Sequence, residues 1–241
     1  MAINRTLINL SVKLSKIKWL RALLVKPWRK YMEYCANKRV RQFHKYGLEA
    51  LEVFNKCMNE NGHKYTLAFG TLLGAVREHG FIPHDNDIDL AMWIDDYTPK
   101  LIQNLKRYGI KRKHTYTIEG GKIGREDSFS YKGVQLDIFY FYKDDQGQAY
   151  CCDFIAFPGA SCMNDSIKKY GGLQPRKLLL PLGEELTTID FKGLKVSIPS
   201  NYHELLSFRY GDNYMTPIPG WRPQTKFIVN MEGYIGKSVE L

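Results

Sequence analysis

Asp87 and Asp89 stand two residues apart in Asp87-Ile88-Asp89-Leu90-Ala91-Met92-Trp93, and a lone third acid, Asp137, sits inside Val134-Gln135-Leu136-Asp137-Ile138-Phe139. Side chains at i and i+2 of a strand leave the same face, so the first two carboxylates can grip a hard cation together. A carboxylate inside an apolar strand is costly to desolvate and requires a metal, an arginine or a raised pKa. Upstream, Gly70-Thr71 closes a short strand over residues 65–69 and precedes the small and apolar run 72–77. A strand, a glycine turn and a helix N-terminus together make a phosphate cradle. If the two acid-bearing strands are neighbours, three carboxylates converge beside that cradle, as a two-metal phosphoryl-transfer site requires. Singly, each signal is weak: Asp-x-Asp pairs are common in solvated turns, and Asp137 has a structural alternative as the partner of Arg77 or Arg125. The ordered combination is far more specific.

The elements that must position these residues follow from apolar spacing. Ile3, Leu7, Leu10, Leu14, Ile17 and Leu24 recur at helical intervals while Arg5, Lys13 and Lys16 fall off that stripe, which reads as a basic amphipathic helix. Pro27 and Trp28 punctuate it, and a second helix runs to Asn61-Gly62 with Phe43, Ala50, Leu51, Phe54 and Met58 on one side. A helix over 97–108 precedes strands over 114–119, 129–131 and 134–142, and the last turns at 143–147 into a hairpin partner over 149–154. Residues 191–198 read as a strand pair around Lys192-Gly193, ahead of a short helix over 202–210. The fold class is α/β (α+β), a mixed, antiparallel-rich sheet flanked by helices. Residues 1–47 form a basic helical extension and 48–241 the catalytic domain.

Composition narrows the function classes. The 241 residues are 44% hydrophobic, enough for a buried core and against intrinsic disorder. The formal charge is +10, yet residues 1–47 hold twelve Lys/Arg against one acid, Glu33, leaving 23 basic and 24 acidic residues in the rest. A nucleic-acid-binding face would spread its basicity over the domain; here it belongs to one end. Residues 1–26 therefore suit docking on an anionic membrane surface, or packing on the domain itself. Cys35, Cys57, Cys151, Cys152 and Cys162 have neither zinc nor redox spacing and read as reduced thiols. His79 and His84 lack a recurring zinc spacing as well. With no apolar run of about 20 residues and no leader-like segment, the expected location is cytoplasmic, peripheral on the inner face of the membrane.

The residues also carry a resemblance. Phe69-Gly-Thr-Leu-Leu-Gly-Ala-Val-Arg-Glu-His-Gly-Phe-Ile-Pro-His-Asp-Asn-Asp-Ile-Asp-Leu-Ala-Met92 resembles the signature of the LicD family, bacterial relatives of fukutin within the nucleotidyltransferase-fold superfamily. Leu136-Asp-Ile-Phe139 resembles its third-carboxylate motif, and the stretch from Ile198 to Pro217 its C-terminal signature. The resemblance implies transfer of a phospho-alcohol, typically phosphocholine, from a CDP-activated donor onto a hydroxyl of a surface glycan or lipid-linked saccharide. By position it makes Asp87, Asp89 and Asp137 the catalytic metal ligands, for two Mg²⁺ ions or Mn²⁺ in their place, and gives Gly70, Thr71, Arg77 and Asp85 to the substrate. His84 stands where the family has Trp, and Asn86 replaces the middle Asp of its Trp-Asp-Asp-Asp-x-Asp run.

In that reading Asp137 orients or deprotonates the acceptor hydroxyl and Arg77 stabilises phosphate charge. Tyr140, Phe141, Tyr142, Tyr214 and Trp221 suit either a quaternary-ammonium cage or core packing. Two rival readings remain open. One is a nucleotidyltransferase that attacks an NTP and releases pyrophosphate; the other is a non-enzymatic membrane- or nucleic-acid-binding protein whose acids are structural.

Overall fold

The structure is a computed structural model that describes residues 18–218, 220–221 and 227–239, with the helix backbone alone over 18–29 and 31–36. The apolar stripe from Ile3 to Leu24, and with it the membrane-docking expectation, lies outside the described side chains.

Helix α1 (Lys18–Glu60) is one helix of 43 residues, where Pro27-Trp28 was expected to separate two. A proline inside a helix forfeits one hydrogen bond at a cost of about 3 kcal/mol, which many intact turns on either side can carry. The helix stops where the Asn-Gly signal predicts: Gly62 takes φ 67°, and the Asn61 side-chain amide donates to the Cys57 carbonyl at 2.8 Å. The domain boundary drawn from charge at residue 47 falls inside this helix. Phe43, Ala50, Leu51, Phe54, Cys57 and Met58 are buried at three- and four-residue intervals, forming the stripe that packs on the sheet.

Among the described residues that sheet has nine strands. Strands β3 (Lys111–Ile118), β4 (Gly124–Tyr131), β5 (Val134–Lys143), β6 (Ala149–Ile155) and β7 (Gln174–Leu179) form an antiparallel meander, edged by β10 (Ile228–Asn230) and β11 (Lys237–Ser238). β2 (Asp87–Trp93) joins β5 in parallel, and the two-residue β1 (Thr66–Leu67) joins β2. Among the described residues the β2–β5 pair is the one parallel ladder, and it holds the acids. Helices α2 (Phe69–Arg77), α3 (Lys100–Arg107), α4 (Met163–Tyr170) and α5 (Tyr202–Tyr210) complete the mixed α/β architecture.

The hairpin of β8 (Leu186–Phe191) and β9 (Leu194–Pro199) is longer than predicted. Its two-residue turn is the predicted one, with φ 53° at Lys192 and 84° at Gly193, the left-handed pair that matches strand twist. The hairpin braces the loop after α2, because the Lys192 amide donates to the His79 carbonyl and Phe191 meets the Phe81 ring edge-on at 4.7 Å. Cys57, Cys151 and Cys152 are buried and unpaired, as expected, and Cys162 is exposed and free.

One buried ionic network bears on the site by elimination. The fully buried Asp127 carboxylate accepts from Arg125 Nε and Nη2 (2.9 and 3.1 Å), from Tyr140 Oη (2.8 Å) and from the Thr115 hydroxyl. Arg125 also lies over the Tyr97 ring, 4.0 Å from its centroid. It is therefore committed to Asp127 and is not the partner of Asp137.

Candidate active site

Parallel pairing sets Asp89 opposite Asp137 in register and Asp87 opposite Gln135, so all three acids leave one face at one end of the ladder. One carboxylate oxygen from each lies within 4.8 Å of the others. Among the described residues this is the one group of three or more His, Cys, Asp or Glu side chains close enough to share an ion, and neither His79 nor His84 belongs to it.

The Gln135 amide donates to Asp137 Oδ2 at 2.7 Å, whereas buried Asp137 Oδ1 has no well-formed hydrogen bond; the hydroxyl of its cross-strand neighbour Ser128 tempers the carboxyl's upward shift, as Gln135 does. Arg77, the other candidate ion-pair partner, is held by Glu78 at 2.8 Å. Burial, reinforced by the neighbouring acids, pushes the Asp87 and Asp89 carboxyls up, Asp89 well above the ordinary range; burial does the same to Asp137. An all-oxygen donor set with an under-satisfied buried oxygen and mutual repulsion fits a hard divalent cation such as Mg²⁺ or Mn²⁺.

Local structure beside the acids is strained. Phe69 takes φ 43°, a left-handed conformation that costs a non-glycine residue about 1–3 kcal/mol. Its ring is clamped by Phe139 edge-on at 4.8 Å and by the Arg209 guanidinium at 4.4 Å. The Gly-Thr pair lies within the first turn of α2, which starts at Phe69, whereas the sequence reading closes the strand with that pair and begins the helix after it. The Gly70 amide faces the Asp89 carboxylate and partly offsets its upward shift. A Cβ on Gly70 would stand 3.6 Å from Asp85 Oδ1 and 3.8 Å from Asp89 Oδ2, so this residue touches both acids.

Thr71 is buried, and its hydroxyl oxygen accepts the Asp89 N–H at 2.9 Å, tying α2 to β2. Thr71→Val leaves that amide without an acceptor and is expected to cost about 1–3 kcal/mol, while Thr71→Ser restores most of it. Urea unfolding of the two variants checks this; equal stability of Thr71→Val and wild type would remove the positioning role.

Asp85 Oδ2 accepts the Ile82 N–H at 3.1 Å, and burial pushes this carboxyl up to about 6. Asp85, Gly70, Leu73 and Arg77 line a cavity of about 530 Å³ together with Tyr210, Tyr214 and Trp221. The cavity thus opens where Gly70 touches the carboxylate cluster. Arg77 Nη1 donates to the Tyr214 carbonyl at 3.3 Å, joining α2 to the chain beyond α5.

A family model described as LicD/FKTN/FKRP, nucleotidyltransferase domain, matches residues 62–201, more than half of the chain and all of the acid-bearing strands. The chain belongs to the LicD/FKTN/FKRP family. Curated relatives include ribitol-5-phosphate transferase FKTN of Mus musculus, 29% identical over 182 residues, which are 74% of this chain and 35% of that protein. FKTN of Homo sapiens is 28% identical over the same shares. The lipopolysaccharide cholinephosphotransferase LicD of Haemophilus influenzae is 44% identical over 50 residues, 21% of this chain and 19% of that one. The chain spans about a third of the length of the FKTN relatives it matches.

Within this LicD/FKTN/FKRP domain, the two departures from the family run, His84 and Asn86, are both exposed. His84 lies at the rim of the cavity. Of the aromatics singled out by sequence, Tyr140, Phe141 and Tyr142 are core residues, while Tyr214 and Trp221 line the cavity. Sequence reasoning did not single out Gln135, Arg209 or Tyr210. Gln135 was findable, since it shares a strand face with Asp137. Arg209 and Tyr210 sit inside the C-terminal signature, but nothing local says that α5 lies against α2.

Proposed function

We propose that the chain is a metal-dependent phospho-alcohol transferase with a nucleotidyltransferase-type fold. It moves phosphocholine from a CDP-activated donor to a hydroxyl of a surface glycan or lipid-linked saccharide. The observation that carries this reading is the trio Asp87, Asp89 and Asp137, with a buried oxygen on Asp137 that has no well-formed hydrogen bond, beside the Gly70 amide. Family membership supports the reaction class, because the relatives include a ribitol-5-phosphate transferase and a lipopolysaccharide cholinephosphotransferase.

Asp87, Asp89 and Asp137 would hold two Mg²⁺ ions, which supply neutralisation of the donor diphosphate and of the departing CMP. The remaining work falls to the chain. The start of α2, whose Gly70 amide faces the Asp89 carboxylate, lies on the phosphate side of the site, and Arg77 offers a guanidinium near the same charge. Asp137 orients the acceptor hydroxyl and takes its proton, a role suited to a carboxyl whose proton affinity burial has raised. The acceptor oxygen bonds to the phosphorus carrying the alcohol as the bond to the CMP oxygen breaks.

The expected result is that a CDP-alcohol with Mg²⁺ is consumed and CMP released, with no pyrophosphate formed from CTP. Phosphorus NMR of the two incubations distinguishes these outcomes. Pyrophosphate together with a nucleotidylated product would replace this reading with nucleotidyl transfer, which the carboxylates alone also permit.

A further inference from the structure

The cavity beside Gly70 is built from one face of α2 and from the chain at and after the end of α5. Tyr210 and Trp221 lie with ring centroids 4.6 Å apart at 39°, so two aromatic faces are fixed relative to each other. Tyr214 is held at both ends, its hydroxyl by His203 Nδ1 and its carbonyl by Arg77. Leu73 and Ile82 line the same cavity. Asp85 contributes a carboxylate at the lining, while the neighbouring Arg77 charge is balanced by Glu78. Gly70 lines the cavity and lies against both this carboxylate and Asp89, so the cavity adjoins the catalytic acids, next to where a phosphate held there would carry its substituent.

We propose that this cavity is the subsite for the alcohol of the donor and that it selects a compact organic cation over a polyol. The inference rests on the phospho-alcohol transferase reading and adds what that reading leaves open, the residues that choose the alcohol. Aromatic faces and a carboxylate attract an alkylammonium group through ring quadrupole and charge. A polyol of the same length must replace the water on every hydroxyl it buries, and an apolar and aromatic wall returns few of those hydrogen bonds. Tyr210, Tyr214 and Trp221 are then specificity-determining residues, and Asp85 supplies the counter-charge.

Calorimetric titration of the full chain with phosphocholine, ribitol 5-phosphate and CMP, each with Mg²⁺, tests this without turnover. Phosphocholine is expected to bind at least about tenfold more tightly than ribitol 5-phosphate, the margin of a few cation–ring contacts. Trp221→Leu should erase that preference, Trp221→Phe should keep most of it, and CMP affinity should stay within about twofold in both. Equal affinity for the two phospho-alcohols, or a preference for ribitol 5-phosphate, overturns the proposal. So does a loss of CMP affinity in Trp221→Leu, which would make the cavity a nucleobase site. If CDP-alcohols are not turned over while phosphocholine still binds through Trp221, the reaction reading fails alone. Turnover with no alcohol preference sinks only the subsite.

Discussion

Asp89→Asn should lower turnover by at least about a thousandfold and yet raise the melting temperature of the metal-free protein. The two effects have one cause. Three carboxylates with oxygens within 4.8 Å, Asp137 buried and the other two partly so, repel each other, and their carboxyls are all shifted upward. A folded-state pKa above the unfolded value means that the ionised form opposes folding. That penalty is absent below the unfolded pKa of about 4, and it grows as pH rises until the folded pKa is passed. The stability gain of Asp89→Asn should therefore shrink as pH falls from 8 towards 5. Each 1 kcal/mol of relief corresponds to about 2–4 °C in a chain of this size. Mg²⁺ should stabilise the wild type and have little effect on the variant. Asp87→Asn and Asp137→Asn should follow the same pattern. Scanning calorimetry with chelator or Mg²⁺, beside a turnover assay, reads all of it. A variant that keeps near-full activity has been given the wrong role, and full wild-type activity in chelator removes the metal mechanism.

Asp127→Ala is expected to destabilise the fold by about 3–5 kcal/mol, the cost of leaving a buried charge without its partner. Asp127 accepts four hydrogen bonds while fully buried, and Arg125, whose side chain is 10% exposed, has no second carboxylate in reach of an ion pair among the described residues. The Tyr97 ring under the guanidinium offsets only part of the loss. Replacing both members, Arg125→Met with Asp127→Leu, should recover much of the stability, because the penalty comes from the uncompensated charge and not from the absence of a salt bridge. Urea denaturation of the single and double variants separates the two cases. A single variant within 1 kcal/mol of wild type would show that water reaches Arg125.

Arg125 and Asp127 also show where sequence reasoning reaches its edge. Arg125 and Asp127 are two apart on β4, as Asp87 and Asp89 are on β2, and the same rule puts each pair on a common face. Only the packing tells that one pair is a satisfied core network and the other the start of an acidic cluster. The structural alternatives for Asp137 were equally open in sequence. They close because Arg125 is held by Asp127 and Arg77 by Glu78. The helix α4 and the strands β7, β10 and β11 carry no strong local pattern. β7 opens with Gln174-Pro175, and β10 and β11 are three and two residues long, so their pairing depends on neighbours far away in the chain.

By itself, then, the sequence determined the features that depend on backbone geometry over a few residues. These are the shared face of Asp87 and Asp89, the strand around Asp137, the Asn-Gly helix stop, the Lys192-Gly193 turn and the helix over 202–210. Period and turn chemistry are local, and elementary sterics fix them wherever they occur. The tertiary structure alone decided that β2 lies parallel to β5 with Asp89 opposite Asp137, and that Thr71 is spent on the Asp89 amide. It alone brought Tyr210, Tyr214 and Trp221 into one cavity with Gly70. Those are choices among distant partners, set by the summed burial of the whole core and by the need to pair every buried polar group, and no window of sequence contains that sum.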